Sequence, residues 1–192
     1  MKKSQAKQRA SALERADIAV ADAFTPIRDN PVIEAAGKLS DIGDQPPLYA
    51  ISYGVIGAGL ITGDRRTLRA GARMLASHIA AIFLKSLVKH RIDRTRPDVV
   101  ADSGRYEMEP GDRRGHDFNS FPSGHTASSI AVARAVGRDY PELHGAALGV
   151  ASAIAMTQVV RSSHFVSDVA AGAAIGLAAE ALVDQVFRRA GV

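Results

Sequence analysis

An all-α bundle set in a membrane is the fold that this 192-residue sequence predicts, and three observations predict it. The chain is 46% hydrophobic but only 5% aromatic and is rich in Ala and Gly, a mix that lets helix backbones approach closely. Two stretches, 45–63 and 143–160, run for 19 and 18 residues without a charged side chain, near the roughly 20 residues that cross a bilayer. With the N-terminus placed in the cytoplasm, the basic segments 65–73, 134–138 and 188–189 fall on the cytoplasmic side, while the equally basic loop 85–116 faces outward against the rule, as cations that bind an anion would. The expected architecture is an integral membrane helical bundle of about five transmembrane helices. An N-terminal helix, amphipathic or weakly membrane-inserted, precedes it, and residues 1–192 form a single domain.

The elements follow in order. Residues 4–24 read as an amphipathic helix, with Leu13, Ala16, Val20 and Phe24 at helical spacing and Glu14, Arg15, Asp17 and Asp22 between them. Pro26 and Pro31 interrupt it, a short helix follows at 32–40, and "SDIGDQPP" ends that one as a turn. The charges from Asp17 to Lys38 make a simple span across 13–40 costly, so an interfacial helix is expected there. The charge-free 45–63 and a run at 70–89 give the next two helices. A polar loop over about 91–121 carries Arg91, Arg94, Arg96, Arg105, Arg113 and Arg114. Helices at 123–137, 143–160 and about 166–188 complete the bundle, the last with Gly172 and Gly176 one turn apart.

Composition excludes several classes. With no Cys there is neither a disulfide framework nor a thiolate zinc site. A net charge of +4, with no basic stripe interleaved with aromatics, argues against nucleic acid as a partner. The basic start "MKKSQAKQRA" lacks an apolar run after it, so no cleavable signal peptide is expected.

Three clusters carry chemistry. In "KHRIDRTRP", Lys89 closes a helix and Arg96 precedes Pro97, which keeps Arg96 out of helical geometry. Both cations suit a phosphate, although a snorkelling helix end would look the same. In "NSFPSGHTAS", Ser123 and Gly124 sit at a helix mouth, where free N–H groups and the macrodipole favour an anion. His125 in the first turn is placed to protonate a leaving oxygen, and an ordinary Ser cap with a structural His reads equally well. In "RSSHFVSDV", His164 and Asp168 share a helix face. There the carboxylate can hold one ring nitrogen protonated and free the other as nucleophile, or it can simply cap the helix.

Together, Lys-x6-Arg-Pro, Pro-Ser-Gly-His and His-x3-Asp in this order resemble the type 2 phosphatidic acid phosphatase and haloperoxidase superfamily, in its membrane-bound bacterial branch. The resemblance covers Lys89 to Asp168. It implies a metal-independent phosphatase without a cofactor, in line with the absence of clustered carboxylates in the sequence. His164 would form a phosphohistidine oriented by Asp168, and His125 would protonate the leaving group. Lys89, Arg96, Ser123 and the Gly124 N–H would hold the phosphate oxygens.

The implied setting is the bacterial cytoplasmic membrane, with the site facing outward. The implied partners are the bilayer and a lipid substrate such as undecaprenyl diphosphate, phosphatidic acid or phosphatidylglycerol phosphate. The arginines of 91–114 would suit a diphosphate. Alternatives are a soluble acid phosphatase or haloperoxidase-like enzyme on the same scaffold, and a catalytically silent membrane binding protein.

One position departs from the family pattern. The third motif usually carries an Arg six residues before its His, and here that residue is Gln158, a candidate phosphate ligand that can donate a hydrogen bond but no charge. Arg161, three before His164, is the nearest replacement, and Arg94 is a further candidate cation.

Overall fold

The computed structural model describes residues 10–113 and 115–191. Residues 4–9 of the expected first helix, the basic residues among 2–9, and Arg114 lie outside the described residues. Eight α-helices appear among the described residues. Helix α1 (Ala12–Phe24) starts on a capping box: Glu14 N–H donates to Ser11 Oγ, and Ser11 N–H to the Glu14 carboxylate at 2.7 Å. Helix α2 (Pro31–Ser40) begins with Pro31 behind an Asn30 cap. Helix α3 (Gln45–Thr62) ends on Gly63 at φ 70°, a left-handed conformation that favours Gly. Helices α4 (Arg65–Lys89), α6 (Gly124–Asp139), α7 (His144–Val160) and α8 (Val166–Arg189) form the bundle with α3.

The segment expected as one polar loop is more ordered than that. Strand β1 (Ile92–Arg94) pairs antiparallel with β2 (Met108–Pro110), with Asp93 opposite Glu109, and helix α5 (Pro97–Ser103) lies between them. Nothing in a run of Arg, Asp and Gly announces three-residue strands.

Helix α6 is the centre of the bundle and packs against α4, α7 and α8. Its Ala127, Ala131 and Ala135 are fully buried. The two glycines of α8 let it approach α6: a Cβ on Gly172 would stand 2.5 Å from the Ser123 carbonyl oxygen, and one on Gly176 2.5 Å from that of Ala127. At the end of the bundle away from Lys89, Arg73 bridges Asp139 (3.0 Å) and Asp184 (2.8 Å), and Arg134 and Arg138 meet the buried Glu180. Buried charges of this kind persist only when paired.

The expectation of about five transmembrane helices is not met. Among the described residues three segments are long and apolar enough to cross a membrane: Arg65–Lys89, Pro141–Val160 and Val166–Arg189. The reason is composition. Although free of charge, α3 opens on Gln45, Pro46 and Pro47 and carries Tyr49, Ser52 and Tyr53. Helix α6 has only 16 residues and includes Arg134, Arg138 and Asp139. Helices α1 and α2, at 13 and 10 residues, are too short to span. The three qualifying windows are 33, 28 and 28% buried, so most of their apolar surface is left for another apolar medium.

Candidate active site

The ends of α4, α6 and α8 meet on one side of the bundle, and a polar cavity of about 170 Å³ opens there. Five of the residues singled out in the motifs line it: Lys89, Arg96, Gly124, His125 and His164. Each arrives by a local rule. Lys89 is the last residue of α4. Arg96, extended before Pro97, is the N-cap of α5. Gly124 opens α6, so its first-turn N–H groups point into the cavity end.

His164 is buried, and its Nδ1 lies 2.7 Å from the Ser120 carbonyl oxygen. A carbonyl only accepts, so Nδ1 carries the proton and Nε2 keeps its lone pair. Burial pulls the His164 pKa below its usual value, against the pull of Asp168. Asp168 is 3.8 Å from Nδ1, within ion-pair range but too far for a hydrogen bond. Its own oxygens are taken elsewhere: Oδ1 by Arg94 at 2.5 Å, Oδ2 by the Ser120 hydroxyl at 2.6 Å and the Phe165 N–H at 2.8 Å. The direct orientation of His164 therefore comes from Ser120, a backbone contact without a side-chain signature.

His125 Nε2 lies 3.0 Å from Asp44 and 3.8 Å from Asp41, off the line that a hydrogen bond needs. Both aspartates come from the "SDIGDQPP" turn. Burial pulls the His125 pKa below its usual value; Asp44 and Asp41 oppose this, and Arg161 and Arg96 add to it. Asp41, Asp44 and His125 bring one ligand atom each within 4.8 Å of one another, a carboxylate cluster that the sequence reading did not expect. Asp41 is also engaged by Arg161 at 3.2 Å.

The remaining candidates are placed differently. Ser123 is fully buried as the N-cap of α6, and its Oγ accepts from Thr126 at 3.0 Å. Gln158 is turned away, donating to Ser40 Oγ at 3.1 Å and to the Ile154 carbonyl. Arg161 ties the end of α7 to α2 through the Gly37 carbonyl and Asp41, and to Ser163 at 2.9 Å. Neither lines the cavity. Arg94 is a structural clamp: its guanidinium meets Asp17, Ser167, Asp168 and Tyr106 and stacks 4.2 Å over Phe165. Through Asp17, which also accepts from the Ser167 N–H, helix α1 is docked behind the site. Arg113 is bound by Asp93, Glu107 and Glu109, so this loop arginine is not left for a diphosphate.

Lys85 was missed. It lines the cavity from one helical turn before Lys89; that spacing is visible in the sequence, but only the fold shows which face of α4 turns inward.

Comparison with known proteins gives the family. Residues 70–191 match the PAP2 superfamily, and the chain belongs to it. It is 32% identical over 173 residues to the lipid A 1-phosphatase of Rhizobium etli, covering 84% of this chain and 74% of that protein. It is 31% identical over 179 residues to the decaprenylphosphoryl-5-phosphoribose phosphatase of Mycobacterium tuberculosis, covering 90% and 91%. A second lipid A 1-phosphatase, from Rhizobium johnstonii, is 35% identical over 123 residues, and the chain spans only half of its length.

Two crystal structures share the fold. One is a transmembrane PAP2-type phosphatidylglycerolphosphate phosphatase from Bacillus subtilis (TM-score 0.68, 23% identity, 94% and 89% covered). The other is LpxE from Aquifex aeolicus (TM-score 0.61, 15% identity, 92% and 97% covered). Family membership and the three long apolar helices together support an integral-membrane location.

Proposed function

We propose that this chain hydrolyses a lipid-linked phosphate ester through a phosphohistidine. The observation that carries the reading is the free Nε2 of a neutral, buried His164 facing a small cavity with Lys89, Arg96 and the N-terminus of α6 around it. Nε2 attacks phosphorus while the bond from phosphorus to the lipid oxygen breaks. His125 as imidazolium gives its proton to that oxygen. Neutral His125 then takes a proton from water, whose oxygen attacks the phosphohistidine, releasing phosphate and restoring His164. The cations and the Gly124 N–H sit where negative charge collects on the non-bridging oxygens.

A lipid substrate is supported by what lies behind the cavity. An apolar groove of about 230 Å³ runs between α3, α6 and α7, lined by Ile42, Leu48, Met74, Val132 and Ile154 among others. Gly43 links the two spaces: it lines the polar cavity, and a Cβ there would stand 2.6 Å from Ser129 Oγ and 2.9 Å from Ile154 Cγ2, both groove residues. A headgroup phosphate beside His164 thus has an apolar path for its chain. The lipid A 1-phosphatases and the decaprenylphosphoryl-5-phosphoribose phosphatase to which the chain is similar are named for lipid-linked phosphates, in agreement with this. With Arg94 and Arg113 engaged by carboxylates, a phosphomonoester fits better than a diphosphate. The positive-inside pattern supports a site on the outer side of the cytoplasmic membrane.

The test is phosphate release by the detergent-purified protein from phosphatidic acid, phosphatidylglycerol phosphate, lipid A and polyprenyl phosphates, with a labelled phosphoenzyme trapped by an alkaline detergent quench. Turnover with an acid-labile, base-stable phosphoenzyme is expected. Absence of release from every lipid would favour a silent binding protein.

A further inference from the structure

The cation that the family pattern places at position 158 is absent, and nothing on α7 replaces it: Gln158 bonds Ser40, and Arg161 bonds Gly37 and Asp41. Resting on the phosphatase reading, we propose that Lys85 of α4 is the phosphate-holding cation that takes its place. Three observations carry this. Lys85 lines the cavity together with Lys89 and Arg96. Its side chain runs along the mouth of α6: a Cβ on Gly124 would lie 3.4 Å from Lys85 Cδ and 3.7 Å from its Nζ. The amine is thus at the helix N-terminus, and Ser123 offers that terminus no side-chain cap, so its N–H groups face the same point.

The third observation is that Lys85 has no counter-charge. It makes no ion pair or hydrogen bond among the described residues, whereas Arg94, Arg113, Arg138 and Arg161 all meet carboxylates.

A snorkelling lysine on a lipid-facing flank would be placed differently. On α4 the exposed flank is marked by Phe83 and Leu87, one turn apart. Lys85 lies two residues from each, about 200° round the helix, on the side that packs against α6. A half-buried ammonium without a partner is costly to hold, and a dianionic phosphate between Lys85, Lys89 and Arg96 would supply the missing charge. The cation has moved from the start of the third motif to a position one turn before the first, so the motif spacing alone does not reveal it.

The experiment compares wild type, Lys85→Met, Lys85→Gln and Lys85→Arg as full-length detergent-purified proteins, with Lys38→Met as control because Lys38 is exposed and paired with Glu34. Two readouts are taken: affinity for inorganic phosphate by calorimetry, and kcat/KM on phosphatidic acid or whichever lipid phosphate the wild type turns over. Losing one charged hydrogen bond predicts roughly ten- to hundredfold weaker phosphate binding and a matching fall in kcat/KM for Met and Gln. Arg is expected within about threefold of wild type, and Lys38→Met unchanged. Thermal midpoints without phosphate are expected to hold in all variants, since Lys85 makes no hydrogen bond or ion pair among the described residues.

Phosphate affinity in Lys85→Met or Lys85→Gln equal to wild type would overturn the proposal, as would a loss that Arg fails to restore. The two readings separate cleanly. Lys85-dependent phosphate binding without lipid hydrolysis would end the phosphatase reading and leave this one standing; hydrolysis with unchanged phosphate affinity would do the reverse.

Discussion

Nδ1 of His164 points at the carbonyl oxygen of Ser120, 2.7 Å away, while the nearest oxygen of Asp168 is 3.8 Å off. That contact chooses the tautomer and leaves Nε2 as the only ring atom able to attack. His164→Ala is therefore expected to remove turnover, with a loss on the order of 10⁴-fold or more, and to abolish the trapped phosphoenzyme. Residual labelling in that variant would move the nucleophile elsewhere.

The same geometry separates Ser120 from Asp168 by mutation. Ser120→Ala removes a hydroxyl that donates to Asp168 but keeps the carbonyl that holds His164. A stability loss of about 1 kcal/mol is expected, with kcat within a few-fold of wild type.

Asp168→Asn is more severe, because the fully buried Arg94 loses one of its two carboxylates and the new amide has to face donors. Breaking a buried pair costs about 3–5 kcal/mol, and a lower thermal midpoint in detergent would show it. If Ser120→Ala costs as much turnover as Asp168→Asn, the side chains rather than the carbonyl orient the ring.

The two histidines predict an acidic pH profile. His125 has to be protonated to act as an acid, and its pKa is held below the usual 6.5, chiefly by burial. kcat/KM should therefore fall as pH rises through a midpoint below 6.5. His164 has to be neutral, and burial lowers its pKa as well, so an acid limb assigned to it also lies below the usual imidazole range. Asp44 is the charge that most raises His125, so Asp44→Asn should shift the alkaline limb further toward acid. A limb that stays in place or moves up in Asp44→Asn would break the assignment of that limb to His125.

Five cavity residues, Lys89, Arg96, Gly124, His125 and His164, were legible because each sits at a helix end that the sequence itself marks. Pro97, the Pro122-Ser123-Gly124 turn and the spacing of His164 and Asp168 are local signals. Ser120, Asp41 and Asp44 were not legible, because they reach the histidines through tertiary convergence of a turn and a loop. The bundle was legible from its helical runs, but the count of spans was not. A stretch free of charge can still be polar, as α3 is at Gln45-Pro46-Pro47, and a central helix such as α6 can bury itself against protein with only 16 residues.

Arg161 offers the last test, because the sequence leaves it as a candidate phosphate ligand and the structure gives it another task. Its guanidinium joins Ser163, the Gly37 carbonyl and Asp41, and its pair with Asp41 is partly exposed at 32% and 49%. Such a pair is worth roughly 0–1 kcal/mol. Arg161→Ala is thus expected to cost about that much stability and to leave kcat/KM within about threefold at the pH optimum. Because Arg161 lowers the His125 pKa, its removal should move the alkaline limb up, opposite to Asp44→Asn. Arg96→Ala, which takes a cation out of the cavity itself, should lose roughly ten- to hundredfold in kcat/KM. Equal losses in the two arginine variants would return Arg161 to the phosphate, and unequal ones would leave it as the strap between α7 and α2.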